Sequence, residues 1–114
     1  MPTLRHYCTE TGRTPFLEWF DRLQDRQAKT RILIRLERLE LGKFGDTRYL
    51  KGGVSELRVD WGPGYRIYFA RDGEDIVLLL CGGDKRRQHA DIERACALWQ
   101  AYERRKRPDA KPLH

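Results

Sequence analysis

The feature that most constrains the fold is a change in hydrophobic periodicity near residue 42. Before this point apolar side chains recur every three or four residues, and after it they alternate with polar ones. A spacing near 3.6 marks an amphipathic helix, whereas a spacing of two marks a strand with one buried face. The chain therefore predicts helices followed by a sheet, with the helices covering a face of that sheet.

Two helices are predicted in the first part of the chain. Thr14 and Pro15 are typical of a helix N-terminus, because threonine caps helices and proline at the first position loses no hydrogen bond. A break near Gln24 precedes the second helix, and Gly42 is typical of a helix stop. The two apolar stripes consist of Phe16, Trp19, Phe20, Leu23, Ala28, Ile32, Leu36 and Leu39. We expect an αα-hairpin.

The strands are predicted by alternation and by one apolar run. Alternating segments at 56–61 and 65–70 flank a Gly-Pro-Gly turn and predict an antiparallel hairpin, while the run 76–81 predicts a central strand covered on both faces. A strand at 4–8 and a helix at about 88–106 complete the order β-α-α-β-β-β-α. We therefore expect an α+β fold with a small, mainly antiparallel sheet, two N-terminal helices on one face and a C-terminal helix.

Length and composition exclude several classes of protein. The 114 residues suffice for one domain, expected at 1–107 with a disordered tail at 108–114. No apolar run approaches the roughly 20 residues of a membrane span, and no secretory signal is visible. The scattered Cys8, Cys81 and Cys96 fit a reducing cytoplasm, and they lack metal-ligand spacing with the histidines. We expect a cytoplasmic protein without metal or cofactor.

The net charge of +6 is concentrated near the C-terminus, because residues 85–114 carry nine basic and four acidic side chains. A cluster of cations on one element is typical of a protein that binds a polyanion. Lys85, Arg86 and Arg87 directly follow the central strand and form such a cluster. The run 104–107 has an equally good alternative interpretation as the solvated end of a helix.

A candidate binding face is predicted on the hairpin strands. If their apolar sides point at the helices, the opposite face carries Arg58, Arg66 and Tyr68. Arginine holds phosphate oxygens with two parallel hydrogen bonds, and tyrosine stacks on a base, so this face suits a phosphodiester. The alternative is that a solvated antiparallel face is polar in any case. The cations bordering this face are Lys51, Lys85, Arg86 and Arg87.

Several of these segments resemble a known family. They are Glu56-Leu57-Arg58, Gly62-Pro63-Gly64-Tyr65-Arg66-Ile67-Tyr68-Phe69, Leu79-Leu80-Cys81-Gly82-Gly83-Asp84-Lys85, Gln88, Asp91-Ile92 and Ala95. Together they are similar to the "addiction module killer protein" branch of the RelE/ParE toxin superfamily, the HigB-like toxins of type II toxin–antitoxin systems. The resemblance extends over roughly residues 4–103 and implies the RelE-like fold, in agreement with the element order above.

The resemblance also implies an activity and partners. Many members cleave mRNA in the ribosomal A site without a metal, and the substrate's own 2′-hydroxyl attacks the adjacent phosphate. The protein then has only to position the RNA, transfer protons and neutralise charge. A cognate antitoxin, often a helix-turn-helix protein, is implied as partner, and operator DNA would be contacted only through it. The ribosome and mRNA are the implied targets.

Individual residues carry the expected roles. By resemblance, Arg66 follows the turn where the pattern has a phosphate-stabilising arginine, Arg58 takes the basic position of the preceding strand, and Lys85 or Arg86 the one after the last strand. Tyr68 shares the face of Arg66. His89 stands near the position of a tyrosine that the pattern has and this chain lacks. It is either the proton-transfer group or a surface histidine.

Two other functions remain open at this stage. The ParE branch of the same fold poisons DNA gyrase by binding, without catalysis. A chain that has lost toxicity would serve only as an antitoxin-bound co-repressor. For any of the three we expect the antitoxin to lay an acidic or apolar segment over the basic face or the terminal helix.

Overall fold

The computed structural model describes residues 1–106, which form one five-stranded sheet with helices on both faces. The elements in chain order are β1 (Thr3–His6), α1 (Pro15–Arg22), α2 (Arg26–Glu40), β2 (Thr47–Lys51), β3 (Val54–Val59), β4 (Tyr65–Asp72), β5 (Ile76–Asp84), a 3-10 turn (Lys85–Arg87) and α3 (Gln88–Lys106). The spatial order of the strands is β1-β5-β4-β3-β2. The predicted α+β class, with two helices before the main sheet and one after it, is confirmed.

The sheet has one strand more than the sequence predicted. All neighbouring strands are antiparallel except β1, which lies parallel to β5. The added strand is β2, at the edge of the sheet beside β3. An edge strand has a neighbouring strand on only one side, and the residues of β2 are mostly exposed. Tyr49, for example, is 64% exposed. No apolar alternation marks such a strand in the sequence.

Helices α1 and α2 cover the first face of the sheet. Their predicted apolar stripes pack on the side chains that point to this face from the central strands, among them Leu57, Ile67 and Phe69. Trp19 lies so close to Gly82 of β5 that a Cβ atom at this position would overlap its indole ring. Helix α2 begins at Asp25, whose carboxylate accepts from the backbone amides of Gln27 and Ala28 at 2.9 and 3.2 Å.

Helix α3 covers the second face at Tyr68, which corrects the expectation that Arg58, Arg66 and Tyr68 are all displayed on an open face. Ala95 and Trp99 of α3 pack on Val54, Tyr68 and other apolar residues of this face. Trp99 is only 8% exposed and lies directly against Gly53, which has a φ of +89°. The amphipathic stripe of the last helix was visible in the sequence, but the face of the sheet that receives it was not.

Strand β5 contains a β-bulge and then contacts the start of α3. The register between β4 and β5 shifts after Tyr68, which pairs with Cys81, because Phe69 then pairs with Leu79. Beyond the bulge Gly83 faces α3, and a Cβ atom there would overlap the carboxylate of Asp91. The first turn of α3 therefore lies directly on the backbone of β5.

The end of α3 is held against the rest of the fold. Arg105 donates to the backbone carbonyl of Cys8 at 2.9 Å and lies over the Tyr7 ring, and Lys106 pairs with Asp72. The predicted tail at 108–114 lies outside the described residues. Within residues 1–106, no helix combines the length and the apolar character needed to cross a membrane.

Packing between α2 and the sheet predicts that substitutions at two neighbouring positions differ in their effect on the free energy of unfolding. Ile32 has no exposed surface, whereas Leu33 is 54% exposed. Ile32→Ala should lower the free energy of unfolding by about 2 to 5 kcal/mol, because it opens a cavity in the core. Leu33→Ala, the matched control, should change it by no more than about 0.5 kcal/mol. Urea unfolding monitored by circular dichroism measures both, and equal losses would contradict the packing described.

Candidate functional site

Two arginines stand opposite each other at one end of the β3–β4 hairpin. Arg58 and Arg66 are cross-strand partners, and both point to the face that carries α3. Like charges directly opposite each other in a sheet repel, at a cost on the order of 0.2 to 1 kcal/mol. Each of the two is paired with a carboxylate, Asp46 for Arg58 and Glu56 for Arg66, which offsets this repulsion.

Arg58 is fixed by the loop before β2. Its Nε and one terminal nitrogen donate to Asp46 Oδ1 at 3.1 and 2.7 Å, and this interaction lowers the pKa of Asp46 below its ordinary value. Arg35 of α2 donates to the backbone carbonyls of Arg58 and Asp46, so the loop is fastened to the helix behind it. The Arg58 side chain nevertheless remains 37% exposed and open to a ligand.

Arg66 shares a surface with Lys85. One terminal nitrogen of Arg66 and the side chain of Lys85 both lie against Gly64, in the turn that joins β3 and β4. The backbone amide of Lys85 donates to the carbonyl of Gly64 at 2.8 Å, which holds the 3-10 turn beside the hairpin. We refer to Arg58, Arg66 and Lys85 as the basic patch.

A buried glutamate lies behind this patch. Glu56 of β3 has no exposed surface, and its Oε1 is 3.6 Å from Nε of Arg66. Its Oε2 is 3.3 Å from a terminal nitrogen of Arg48 in β2, and Gln88 of α3 donates its amide Nε2 to Oε1 at 3.3 Å. Three elements therefore converge on one carboxylate.

Tyr68 lies beneath the patch rather than on it. It points to the same face as Arg66, as predicted, but it has no exposed surface because α3 covers it. The exposure expected from the sequence is therefore wrong. Among the described residues its hydroxyl has no hydrogen-bond partner, and burial raises the pKa of the phenol above its ordinary value. The catalytic role given to it from the sequence stays a prediction.

The other predicted residues lie outside the patch itself. Lys51 is at the opposite end of β3, where it pairs with Glu93 of α3. His89 is exposed one helical turn before Glu93. Arg86 pairs with Asp84 at 2.9 Å, and Arg87 is exposed in the 3-10 turn. Of the eight residues predicted from the sequence, the structure brings three together, with Lys85 exposed, Arg58 partly exposed and the Arg66 side chain only 12% exposed.

The basic patch has the chemistry of an anion site. Two guanidinium groups and an ammonium group offer hydrogen-bond donors and positive charge at one surface, the combination that binds phosphate oxygens. Within residues 1–106, no group of three or more His, Cys, Asp or Glu side chains is arranged to hold a metal ion.

Comparison with known proteins identifies the family. A model of the family described as phage-derived protein Gp49-like (DUF891) matches residues 18–106. The chain belongs to this Gp49-like family. An uncharacterised protein of Haemophilus influenzae is 44% identical over 85 residues, which make up 75% of this chain and 86% of the relative. The Gp49-like family is of the RelE toxin type, and its match includes the whole basic patch and the glutamate behind it.

Sequence reasoning missed three residues of this Gp49-like site. Glu56 and Gln88 were recognised only within the segments that resemble the family, and Asp46 was assigned no role. The one available signal was the position of Glu56, two residues before Arg58 and therefore on the same face of β3. The partners of this carboxylate lie 8, 10 and 32 residues away in the chain, beyond what local spacing reveals.

The contact between Asp91 and Gly83 predicts a pH effect on the Gp49-like fold. Burial raises the pKa of Asp91, so the folded state binds this proton more tightly than the unfolded chain does. Stability supplied by the protonated form is present at low pH and declines as pH rises from the unfolded pKa through the folded one. The free energy of unfolding of Asp91→Asn, relative to the unsubstituted protein, should therefore be higher at about pH 7 than at about pH 4.

Urea unfolding of both proteins at the two pH values measures this difference. Any change in packing caused by the amide is the same at both pH values and cancels in the comparison. A stability difference that is independent of pH, or that is larger at low pH, would contradict the buried position of the Asp91 carboxylate.

Proposed function

We propose that this protein is the toxin of a type II toxin–antitoxin system, of the HigB-like branch, and that it stops translation by cleaving mRNA on the ribosome. The observation that carries the proposal is the basic patch, in which two arginines and a lysine lie together at one end of the β3–β4 hairpin. Membership of a family of the RelE toxin type supports it.

The proposed reaction is an internal transesterification of RNA. The 2′-oxygen of one nucleotide forms a bond to the adjacent phosphorus while the bond from phosphorus to the next 5′-oxygen breaks. The 2′-hydroxyl gives up its proton and the leaving 5′-oxygen receives one, so the products carry a 2′,3′-cyclic phosphate and a 5′-hydroxyl. Negative charge grows on the phosphoryl oxygens in between, where preorganised cations are most effective.

The roles in this reaction follow from position. Arg66 and Lys85 would hold the scissile phosphate from the Gly64 side, and Arg58 would hold it from the neighbouring strand. His89, exposed in the first turn of α3, is our candidate for proton transfer. Tyr68 would act from below, by packing under Arg66 rather than by touching RNA.

The remaining cations would attract the substrate. Lys51, Arg86 and Arg87 are exposed and lie to either side of the patch. Phosphates that follow the cleaved nucleotide, or those of ribosomal RNA, would be drawn to them by long-range attraction that does not depend on base sequence. These residues should therefore affect affinity more than the rate of cleavage.

An antitoxin is the partner that a toxin of this type requires. We propose that it is a helix-turn-helix protein that neutralises the toxin by laying an acidic or apolar segment over the basic patch or over α3. An acidic segment would compete directly with RNA for the same cations.

Cleavage can be tested with a pair of arginine variants on the same strand. Arg66 belongs to the basic patch, whereas Arg71, at the other end of β4, lies over the Phe44 ring. Induced without antitoxin, the unsubstituted protein and Arg71→Ala should arrest growth and produce new mRNA 5′ ends within translated regions. Arg66→Ala should lower the rate of cleavage by about 100- to 1000-fold, the loss usual for one group that stabilises transition-state charge.

Primer extension on translated transcripts gives the readout. Identical cleavage profiles for the unsubstituted protein and Arg66→Ala would contradict the proposal. Growth arrest with intact mRNA, accompanied by loss of supercoiling by purified DNA gyrase, would replace it with gyrase poisoning. Normal growth on induction would indicate an inactive, antitoxin-bound co-repressor.

The antitoxin contact should depend on ionic strength. If an acidic segment covers the basic patch, raising the salt concentration from about 50 to about 500 mM should weaken the complex, because the Debye length shrinks well below 10 Å. Titration calorimetry with the protein encoded beside the toxin measures this. An affinity that is unaffected by salt would indicate an apolar interface on another surface, such as α3.

A further inference from the structure

We propose that Glu56 is the positioning residue of the basic patch: it orients Arg66 toward the substrate and joins that arginine to the start of α3. This inference rests on the proposed function for its catalytic consequence, but its geometric part is independent of it. Glu56 was not among the residues that sequence reasoning or family membership assigned to the site.

Arg66 is oriented between Glu56 and Gly64. Its Nε edge faces Oε1 of Glu56 at 3.6 Å, while a terminal nitrogen lies at Gly64 beside Lys85. An arginine has a rigid planar fork, so attraction on one edge fixes the direction of the other. The carboxylate attracts the inner Nε edge without a hydrogen bond, and one terminal nitrogen donates to the Tyr65 carbonyl at 3.4 Å. The Arg66 side chain is 12% exposed, and this exposed part is where a phosphate would approach.

Glu56 is shielded from direct contact with RNA. Glu56 has no exposed surface, and its carboxylate lies among groups from Arg48, Arg66 and Gln88. A phosphate or a 2′-hydroxyl cannot reach it without displacing one of these side chains. Glu56 is therefore not the general base of the reaction, and any effect it has on catalysis acts through its neighbours.

Glu56 also contacts the start of α3. Gln88, which donates to Glu56, is the first residue of this helix, and His89 follows it. The same carboxylate thus holds the arginine proposed to bind phosphate and the helix start that carries the residue proposed to transfer a proton. A buried charge is tolerated only when its partners are in place. Glu56 therefore couples the position of Arg66 to the position of the start of α3.

Glu56→Gln preserves the shape of the side chain and removes its negative charge. The variant distinguishes a carboxylate that acts only through its charge from one that positions Arg66. A carboxylate that acted only as a charge behind the patch would weaken RNA binding, so its loss would lower KM and leave kcat unchanged. A positioning residue predicts a fall in kcat of about 10- to 100-fold with no rise in KM, because Arg66 is no longer held in one orientation. Glu37→Gln, the same change at an exposed position of α2, is the control.

The orientation itself can be measured without any activity. In NMR spectra the Nε–H signal of Arg66 should stand apart from those of exposed arginines and exchange slowly with solvent. In Glu56→Gln it should move toward the exposed signals and exchange faster, while Glu37→Gln should leave it in place. If Glu56→Gln does not fold, Gln88→Ala replaces it, because this variant keeps the charge but removes the hydrogen bond between α3 and Glu56 and should cause smaller changes in the same direction.

The two readouts separate the possible failures. A folded Glu56→Gln protein with an unchanged Arg66 signal, or with unchanged kcat, overturns the positioning role. If the unsubstituted protein shows no cleavage on ribosomes, the proposed function fails, and the NMR comparison alone then decides whether Glu56 orients Arg66. Loss of activity with an unchanged Arg66 signal also counts against the inference, because the effect would then pass through another residue.

Discussion

The site depends on a single carboxylate that is buried in the sheet. Removing Glu56 from water is costly, and only close cationic and hydrogen-bonding partners make it tolerable. Those partners are Arg48 from the edge strand, Arg66 from the central strand and Gln88 from the last helix. This interaction brings three separate elements together at Glu56 and fixes their relative positions. The basic patch lies on the outer side of this carboxylate.

The location of charge matters more here than its total. The net charge of +6 comes almost entirely from residues 85–114, yet two of the three patch residues lie in the segment 43–84, which carries six basic and seven acidic side chains. Acidic residues in that segment are part of the reason: Asp46 and Glu56 each hold one arginine in place. A protein can thus present a concentrated positive surface from a part of the chain that is slightly acidic.

Local sequence patterns predicted those elements that bury a regular apolar face. The stripe of α2, the hairpin of β3 and β4, and the fully covered β5 were found in this way, because periodicity reports burial directly. Strand β2 was missed because an edge strand buries little. The position of α3 over Tyr68, and the partners of Glu56, depend on contacts between distant parts of the chain, which no local spacing encodes.

The most direct test of the account is cleavage of a ribosome-bound mRNA that lacks one oxygen atom. After the cleaved nucleotide has been mapped, the same message is prepared with a 2′-deoxy sugar at that nucleotide. If the basic patch stabilises attack by the substrate's own 2′-hydroxyl, the ordinary message is cut to leave a 5′-hydroxyl end and the deoxy message stays intact. Cleavage of both messages, or a 5′-phosphate end on the product, would contradict the account.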